Sequence, residues 1–368
     1  MAGTTATDPG VTALGAGGND GTMRAIVRSR YGGPDVLELA TVERPTPAAD
    51  EVLIAVRAAS VNAGDRHLMR GSPFLVRLIY GGITRPRSGP LGVDVAGRVE
   101  AVGEAVTRFE PGDEVFGDLS TSGFGAFAEY VCAPEDVLAS KPAGVTFEDA
   151  AAVPTAAVAA LQALRDEGGI RAGERVLVNG ASGGVGTFAV QLANWFGAEV
   201  TGVCSTAKVE LVRSLGADHV VDYTREDATE SGRTYDLIVD TAASHSLSAY
   251  RRALRPEGRY VMVGGPTSRF VRTVVFGPLL SMTGTKRLTN LMLRTNPEDL
   301  AFVGERLVAG DITPVIDREY ELTDVPEAIR YLEAGRATGK VMVAVRGPNE
   351  GGDLAATAAS DRSETSAA

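Results

Sequence analysis

The sequence predicts an α/β protein in which a β-rich domain is joined to a doubly wound parallel sheet covered by helices. Three observations lead to this fold class. The chain has 368 residues, 44% of them hydrophobic, which is enough for two buried cores. Its first part is a series of short apolar segments separated by turns. Its later part alternates apolar runs with helical stretches.

Residues 23–146 are predicted to form the β-rich domain. Turns of the types Gly-Gly-Pro, Pro-Gly-Asp and Gly-Phe-Gly divide this region into segments of strand length. Such a rhythm is typical of a small barrel or sandwich. The predicted strands are MRAIVRS, DEVLIAVRAASV, VDVAGRVEAVG, DEVFGD and AFAEYVCA.

Residues 147–296 are predicted to form the parallel-sheet domain. The sequence pattern changes at Thr146. The segment TFEDAAAVPTAAVAALQALRDEG has acidic residues at its start and is followed by a second Gly, which are the signals that begin and end a helix. The strands that follow are continuously apolar, which indicates a sheet covered on both faces. The strands are RVLVNG, AEVTGVC, HVVDY, YDLIVDTA and RYVMVGG, and the helices between them are GVGTFAVQLANWFG, AKVELVRSLG and SLSAYRRALRPEG.

Three further segments complete the predicted organisation. Residues 297–346 contain two helices and a final strand that are expected to return to the first domain. Residues 1–22 and 347–368 are rich in Gly, Ala, Thr, Ser and Asp and have hardly any large apolar side chains. Both are predicted to be flexible tails, because they bury too little surface to offset the entropy of ordering.

Composition excludes several classes of function. The formal net charge is −11 and no block of consecutive Lys or Arg is present, so nucleic acid is not expected as a partner. Cys132 and Cys204 show no CxxC spacing, as in a reduced cytoplasmic protein. No secretory signal is readable, and no apolar run reaches the roughly 20 residues of a spanning helix. We therefore expect a cytoplasmic location.

A glycine-rich turn between RVLVNG and the following helix indicates a Rossmann cofactor domain. Ala181, Gly183 and Gly186 match the G-x-G-x-x-G frame, with Ala for the first Gly. Such a turn lets the backbone approach a pyrophosphate at a helix N-terminus. The alternative is a tight turn without a ligand. The predicted cofactor residues here are Ser182, Gly183, Gly184, Val185 and Gly186, to which Gly264 at the end of RYVMVGG is added.

The end of the second strand favours NADPH over NADH. An Asp or Glu at this position would bind a ribose hydroxyl and repel a 2′-phosphate. The strand instead ends in Val-Cys-Ser-Thr-Ala-Lys, so that Ser205 offers a hydroxyl and Lys208 a positive charge. The alternative for Lys208 is a solvated lysine in the first turn of a helix.

Seven motifs are spread over both predicted domains: SVNAGD (60–65), LGVDVAGRVEAVG (91–103), PGDEVFG (111–117), GAFAEYV (125–131), NGASGGVG (179–186), SLGADHVVDY (214–223) and GKVMV (339–343). Together they resemble the medium-chain dehydrogenase/reductase superfamily, in particular its zinc-independent quinone oxidoreductase branch, which includes zeta-crystallin. The resemblance implies a GroES-like catalytic domain, a Rossmann domain and a homodimer. It also implies that Tyr223 lies near the adenosine phosphate; the alternative is a strand-end aromatic in the core.

The same resemblance argues against a metal site. Zinc-dependent relatives have Cys where this chain has Asn62, and Gly-His-Glu where it has Gly92-Val93-Asp94. The remaining His and Cys residues show no ligand spacing. Without a Lewis acid, the expected reaction is hydride transfer to a quinone or an α,β-unsaturated carbonyl, whose conjugation spreads the developing negative charge.

Asn62 and His67 are the candidate catalytic residues. Asn62 would donate to substrate oxygen or to the nicotinamide ribose; alternatively it is a turn residue that holds SVNAGD together. His67, where relatives often have Tyr, would donate a proton or is half-buried packing. Lys340 is similar to a recurrent family lysine near the cofactor cleft, or else merely begins a strand. Ala159 stands where many relatives have a Thr facing the nicotinamide.

Two apolar and basic segments, residues 73–87 and 270–287, suggest a binding surface. They are expected to line a cleft for a lipophilic substrate or to touch a membrane surface; alternatively they are core or dimer-interface helices. Two other functions are kept open. One is a biosynthetic enoyl-thioester reductase, and the other is a protein that binds NADPH without turnover.

Overall fold

The computed structural model describes residues 21–80, 82–86, 89–282 and 284–346. The predicted tails, except for residues 21 and 22, lie outside these residues. The described part of the chain contains a seven-stranded β-rich sheet, a two-stranded sheet formed by β1 and β2, and a separate parallel sheet flanked by helices. The predicted fold class is therefore confirmed.

The β-rich sheet lies around one hydrophobic core. Its antiparallel centre is formed where β3 pairs with β4 on one side and with β6 and β15 on the other. β15 also pairs in parallel with β14, so the end of the described chain lies in the sheet built by its beginning. The strands outside the parallel sheet are β1 (Thr22–Val27), β2 (Glu38–Glu43), β3 (Glu51–Val61), β4 (Asp94–Val102), β5 (Glu114–Asp118), β6 (Tyr130–Pro134), β7 (Leu138–Ser140), β14 (Ile316–Glu321) and β15 (Lys340–Ala344).

The second sheet has the strand order β10-β9-β8-β11-β12-β13, and all of its described pairings are parallel. This is the doubly wound order, in which the direction of winding reverses between β8 and β11. Ligands bind such sheets at the carboxyl ends of the strands beside that reversal. The strands are β8 (Arg175–Asn179), β9 (Glu199–Cys204), β10 (His219–Asp222), β11 (Tyr235–Asp240), β12 (Leu254–Met262) and β13 (Arg287–Asn290).

Two predicted helices differ from the structure, and proline explains both differences. The helix expected from Thr146 is divided at Val153, because Pro154 has no amide hydrogen and begins a new helix. The helix expected over 246–258 ends at Ala253, since Pro256 disfavours helical backbone in the residue before it. The helices are α1 (Ala63–Arg70), α2 (Phe74–Tyr80), α3 (Phe147–Ala152), α4 (Pro154–Gln162), α5 (Gly184–Trp195), α6 (Val209–Ser214), α7 (Leu247–Ala253), α8 (Thr267–Met282), α9 (Pro297–Ala309) and α10 (Val325–Glu333).

Helices α2 and α8 carry the two apolar and basic segments, and neither helix is part of the core. Gly277 brings α8 close to β13, since an added Cβ would be 2.8 Å from the Leu288 carbonyl oxygen. The opposite side of α8 is open to solvent. The alternative that these segments are core helices is therefore wrong for the single chain. The exposed apolar side chains are Phe74, Leu75, Leu78 and Ile79 on α2, and Val271, Val274, Val275, Phe276, Leu279 and Met282 on α8.

Among the described residues, no helix combines the length and the apolar character that a membrane span requires. Residue 87, the last residue of the first apolar and basic segment, lies outside the described residues.

Candidate cofactor and reduction site

The glycine-rich turn joins β8 to α5 at the winding reversal of the parallel sheet. Gly180 has a positive φ of 81° and leaves no room for a side chain, because a Cβ would lie 2.4 Å from the Thr241 Oγ1. A Cβ on Gly186 would lie 2.0 Å from the Gly180 carbonyl oxygen. A Cβ on Gly183 would meet nothing closer than 3.5 Å. The turn is therefore tightly packed at Gly180 and Gly186 and has free space at Gly183, the residue that precedes α5.

This geometry suits an anion such as a pyrophosphate. The first amide groups of a helix point outward without partners inside the helix and carry partial positive charge. Ser182, Gly184 and Val185 surround the start of α5. A cradle with free space at Gly183 fits the pyrophosphate of a dinucleotide. Gly264 follows β12 at the same edge of the sheet, where a Cβ would lie 2.8 Å from the Thr241 carbonyl oxygen.

The ends of β9 and β10 bring Ser205 and Tyr223 side by side. Asp222 is opposite Cys204 in the register, and the Tyr223 amide donates to the Cys204 carbonyl at 3.0 Å. Tyr223 is 62% exposed, so the alternative of a core aromatic is wrong. The Lys208 ammonium donates to the Ala337 carbonyl at 2.7 Å and to that of residue 336 at 3.3 Å.

Lys208 thus identifies a residue that sequence reasoning missed. Arg336 is exposed and lies in the loop before β15, and its backbone carbonyl accepts from the Lys208 ammonium. The loop that carries Arg336 therefore lies beside the end of β9. The only sequence signal was the basic residue in Gly-Arg-Ala-Thr-Gly-Lys, which a local pattern cannot place beside residue 208.

The start of β15 lies against the glycine-rich turn. Gly339 pairs with Gly183 through an isolated bridge, and its amide donates to the Ser182 carbonyl at 2.9 Å. The next residue, Lys340, is 2% exposed, and its Cδ lies 3.3 Å from where a Cβ on Gly184 would stand. The structure therefore places Lys340 between the cofactor turn and the β-rich sheet.

Lys340 and Asn62 belong to one buried hydrogen-bond cluster. The Lys340 ammonium donates to Asn62 Oδ1 at 2.7 Å and to Asp94 Oδ2 at 3.2 Å. The Asn62 side-chain amide donates to Asp94 Oδ2 at 2.9 Å and to the Ser60 carbonyl at 3.3 Å. Both amide hydrogens of Asn62 are thus engaged. Asn62 would have to give up one of these bonds to donate to a substrate or to a ribose.

Asp94 is the centre of this cluster. It is fully buried at the start of β4, and its other partners are the Ser60 hydroxyl at 2.5 Å, the Thr155 amide at 2.9 Å and the Thr155 hydroxyl at 2.6 Å. Thr155 Oγ1 is also 3.0 Å from Asp118 Oδ2. Burial, followed by the neighbouring Asp94, raises the pKa of Asp118. The sequence analysis named Asp94 only as a substitution for a zinc ligand and did not identify Thr155 or Asp118.

Thr155 lies one helical turn before Ala159 on α4. Ala159 is 5% exposed and offers no polar group, so the hydroxyl that this helix supplies comes from the earlier position. The sequence analysis did not consider Thr155, because one helix was predicted to run through this position and no motif singled out its hydroxyl.

Asp65 caps the N-terminus of α1. Its Oδ2 accepts a hydrogen bond from the backbone amide of Asn62 at 2.7 Å, whereas its Oδ1 has no partner in the described part of the chain. Burial, opposed by that hydrogen bond and reinforced by Asp94, raises the pKa of Asp65 to about 7. Asp65 is therefore mostly uncharged at acidic pH and ionises near neutral pH.

His67 lies apart from this cluster. No hydrogen bond joins it to Asn62 or Lys340 in the described residues; instead its Nδ1 is 2.8 Å from the Ser72 carbonyl oxygen, to which it donates. That bond leaves Nε2 as the acceptor of a neutral ring. His67 lines an open cavity of about 450 Å³ together with Arg66, Arg70, Ser72 and Glu333.

The described residues contain no group of three or more His, Cys, Asp and Glu side chains arranged to hold a metal ion. Burial raises the pKa of both Cys132 and Cys204 to about 11, so neither is a thiolate at neutral pH.

Comparisons with known proteins agree with this architecture. The family model described as an alcohol dehydrogenase GroES-like domain matches residues 48–143, and the one described as a zinc-binding dehydrogenase matches residues 215–343. The chloroplast envelope quinone oxidoreductase homolog of Arabidopsis thaliana is 36% identical over 336 residues, which cover 87% of this chain and 98% of that protein.

Two further relatives extend the match. The NADPH-dependent alkenal/one oxidoreductase of Arabidopsis thaliana is 34% identical, over 87% of this chain and 79% of its own. The solved quinone oxidoreductase of Coxiella burnetii has a TM-score of 0.79 and 29% identity, and covers 88% of this chain and 100% of its own. The resemblance seen in the motifs is confirmed. The chain belongs to the medium-chain dehydrogenase/reductase superfamily, in its quinone oxidoreductase branch.

Proposed function

We propose that this protein is an NAD(P)H-dependent oxidoreductase that transfers hydride to a quinone or an α,β-unsaturated carbonyl. The observation that carries the proposal is the direct contact between the glycine-rich turn and the Lys340 cluster, through Gly339 and Gly183. This contact puts ionisable and hydrogen-bonding groups beside the place where a dinucleotide fits. The two relatives named for quinone and alkenal/one reduction support the acceptor class.

The glycine-rich turn and Lys340 would have different roles in this reaction. A bound nicotinamide supplies the hydride. The amide groups at the start of α5 hold the pyrophosphate, and the tight packing beneath Gly186 fixes their orientation. Lys340 places a positive charge beside the cofactor turn, and its buried partners Asn62 and Asp94 hold its ammonium in place. A fixed positive charge stabilises the negative charge that develops on the acceptor oxygen. Conjugated acceptors need no metal for this, because they spread that charge themselves.

The decisive experiment is reduction of an acceptor panel by the purified chain. We expect nicotinamide absorbance to fall with quinones and enones, and the rate to survive treatment with a chelator. Faster turnover of an acyl thioester than of any quinone or enone would favour the biosynthetic enoyl reductase. Tight cofactor binding without oxidation by any acceptor would favour the non-catalytic protein.

The finer part of the proposal is a preference for NADPH. Ser205 and Tyr223 follow the paired ends of β9 and β10, Lys208 lies three residues after Ser205, and no carboxylate ends β9. A 2′-phosphate there would have a hydroxyl, an aromatic ring and a positive charge available to it. This supports NADPH over NADH.

Lys208→Ala is expected to lower kcat/KM for NADPH about 10- to 100-fold and to leave that for NADH nearly unchanged, because one charge-assisted contact contributes about 1.5–3 kcal/mol. Steady-state kinetics with both cofactors measure the ratio. Lys286→Ala is the matched control, since Lys286 also donates to two backbone carbonyls, at 2.8 and 2.6 Å, but lies just before the far edge strand β13. An equal loss with both cofactors in Lys208→Ala would count against the phosphate role.

The protein is also proposed to be a homodimer that covers α8. The sheet ends at β13, whose outer edge is unpaired within the described residues, and α8 beside it exposes a large apolar face. An open strand edge next to an apolar helix suits an isologous interface with a second copy.

Phe276→Glu is expected to convert such a dimer to monomer, because the side chain is 48% exposed in the single chain and would become a buried charge between two copies. Sedimentation velocity measures the change. A wild-type monomer that binds anionic vesicles, and loses that binding in Phe276→Glu, would instead assign this face to a membrane surface.

A further inference from the structure

We propose that the open cavity beside α1 is a subsite for a carboxylate group of the acceptor, and that Arg66 supplies the charge that binds it. The inference rests on the proposed reductase function and deepens it, because it names the class of acceptor. That class is a conjugated carbonyl compound that carries a carboxylate at the far end of an apolar chain. The cavity has a volume of about 450 Å³ and is lined by Arg66, His67, Arg70, Ser72 and Glu333.

Arg66 brings to this cavity a positive charge that is not neutralised within the described part of the chain. Arg70 is held by Glu333 through two parallel hydrogen bonds, of 2.6 Å from Nε and 2.7 Å from Nη2. Those bonds lower the pKa of Glu333, so this pair is ionised and its two charges cancel. Arg66, in contrast, has no hydrogen-bond or ion-pair partner among the described residues and acts on Glu333 only through its charge.

One free guanidinium matches a carboxylate. Its planar fork of N–H groups fits the two oxygens of a carboxylate, which carry a single negative charge between them. A phosphate with two negative charges would bring one charge more than Arg66 balances. The charge of the cavity therefore favours a carboxylate as its ligand.

The end of α1 fixes the wall of the cavity before a ligand binds. Gly71 ends the helix in the left-handed region, with a φ of 57°, and a Cβ there would lie 2.6 Å from the Tyr31 ring. The Ser72 amide donates to the His67 carbonyl at 3.2 Å, and the Ser72 carbonyl accepts from His67 Nδ1 at 2.8 Å. Ser72 is exposed, and its hydroxyl is available to donate to a carboxylate oxygen. A preformed wall lowers the entropy lost on binding.

The cavity is connected to both parts of the proposed reduction site. Arg66 follows Asn62 by one turn of α1, which corresponds to about 6 Å along the helix axis. Glu333 belongs to the cavity wall, and the chain leads from it to Gly339, which pairs with Gly183 of the cofactor turn. From residue 333 to residue 339 the chain advances by six residues, which span at most about 22 Å. A long-chain acceptor that is reduced beside the cofactor turn therefore reaches the cavity with its far end.

An apolar surface adjoins the cavity and suits the chain of such an acceptor. α2 begins two residues after Ser72, and its Phe74 and Leu75 are 57% and 59% exposed. Two residues span at most about 7 Å, so this surface starts at the edge of the cavity. A charge beside exposed apolar side chains suits an amphipathic molecule, whereas a small uncharged quinone would leave Arg66 without a ligand.

The test uses two acceptors that differ only in charge: a long-chain vinyl ketone that ends in a carboxylate, and its methyl ester. Wild type, Arg66→Gln and Arg252→Gln reduce each of them with NADPH and with NADH. Arg66→Gln is expected to lower kcat/KM for the acid about 10-fold or more and that for the ester less than about 2-fold, because the ester forms no charge-assisted contact.

Arg252→Gln is the matched control, since Arg252 is an exposed arginine on α7 of the parallel-sheet domain. It removes the same charge from the molecule, so it reports any effect of net charge on the approach of an anion. Its ratio of kcat/KM for acid and ester should equal that of wild type. The same ratio in Arg66→Gln would overturn the proposal. A loss in Arg66→Gln that follows NADPH rather than the acid would also overturn it, because the charge would then serve the cofactor.

A measurement without turnover keeps this proposal apart from the proposed function. NADP⁺ has no hydride to give, so calorimetric titration in its presence measures how tightly the chain binds the acid and the ester. Wild type should bind the acid more tightly than the ester, and Arg66→Gln should bind the two alike. If no acceptor is reduced, the reductase function fails, and this titration still decides whether the cavity binds a carboxylate. If acceptors are reduced but wild type binds both alike, only the subsite fails.

Discussion

Gly183→Ala is expected to fold normally and to lose cofactor affinity about 10-fold or more, whereas Gly186→Ala is expected to lose about 3 kcal/mol of folding free energy or more. The difference comes from what an added methyl group meets. At Gly183 the nearest atom is 3.5 Å away and φ is −87°, which Ala adopts without strain. At Gly186 the methyl would lie 2.0 Å from the Gly180 carbonyl oxygen, a backbone atom that cannot move aside.

The two variants separate ligand binding from packing in one turn of chain. Thermal unfolding measures the effect on packing, and cofactor titration followed by protein fluorescence measures the effect on ligand binding. A methyl on Gly183 stands where the pyrophosphate must approach the backbone, so the loss should appear with both NADPH and NADH. Unchanged affinity in Gly183→Ala would mean that the turn holds no dinucleotide.

Asp65→Asn is expected to remove a pH dependence of stability worth up to about 4 kcal/mol between pH 4 and 7. Burial raises the pKa of Asp65 to about 7 in the folded chain, from an ordinary value of 3.8. The unfolded chain therefore releases this proton first as the pH rises. The stabilisation that wild type has below about pH 4 is lost progressively until the folded carboxyl also ionises near 7.

Urea unfolding at several pH values between 4 and 8 measures this difference. Asn keeps an oxygen that accepts the Asn62 amide, so the helix cap survives while ionisation is abolished. Relative to Asp65→Asn, wild type should become less stable as the pH rises through this window. Asp299→Asn is the control, because the pKa of Asp299 is shifted in the opposite direction. Burial acts to raise this pKa, but hydrogen bonds from Arg165 and Gln162 lower it, so the contribution of Asp299 to the pH dependence of stability lies below about pH 4. A constant difference between wild type and Asp65→Asn would show that Asp65 is already ionised at pH 4.

Sequence patterns were sufficient wherever the chemistry is local. The glycine-rich turn could be recognised because its strand, glycines and helix all lie within residues 175–195, and steric demand at Gly180 and Gly186 leaves few alternatives. The end of β9 could be interpreted for the same reason. The boundaries at Val153 and Ala253 were mistaken because the effect of proline on the preceding residues was not weighed against helical periodicity.

The sequence by itself determined the fold class, the family and the location of the cofactor turn, since all three depend on periodicity and on short motifs. Only the tertiary structure decided which polar side chains meet. Lys340 bonds Asn62 across 278 positions and Asp94 across 246, through the pairing of β15 with β3 and of β3 with β4. Hydrogen bonds act over about 3 Å in space, and no local pattern records which distant strands a sheet brings within that range.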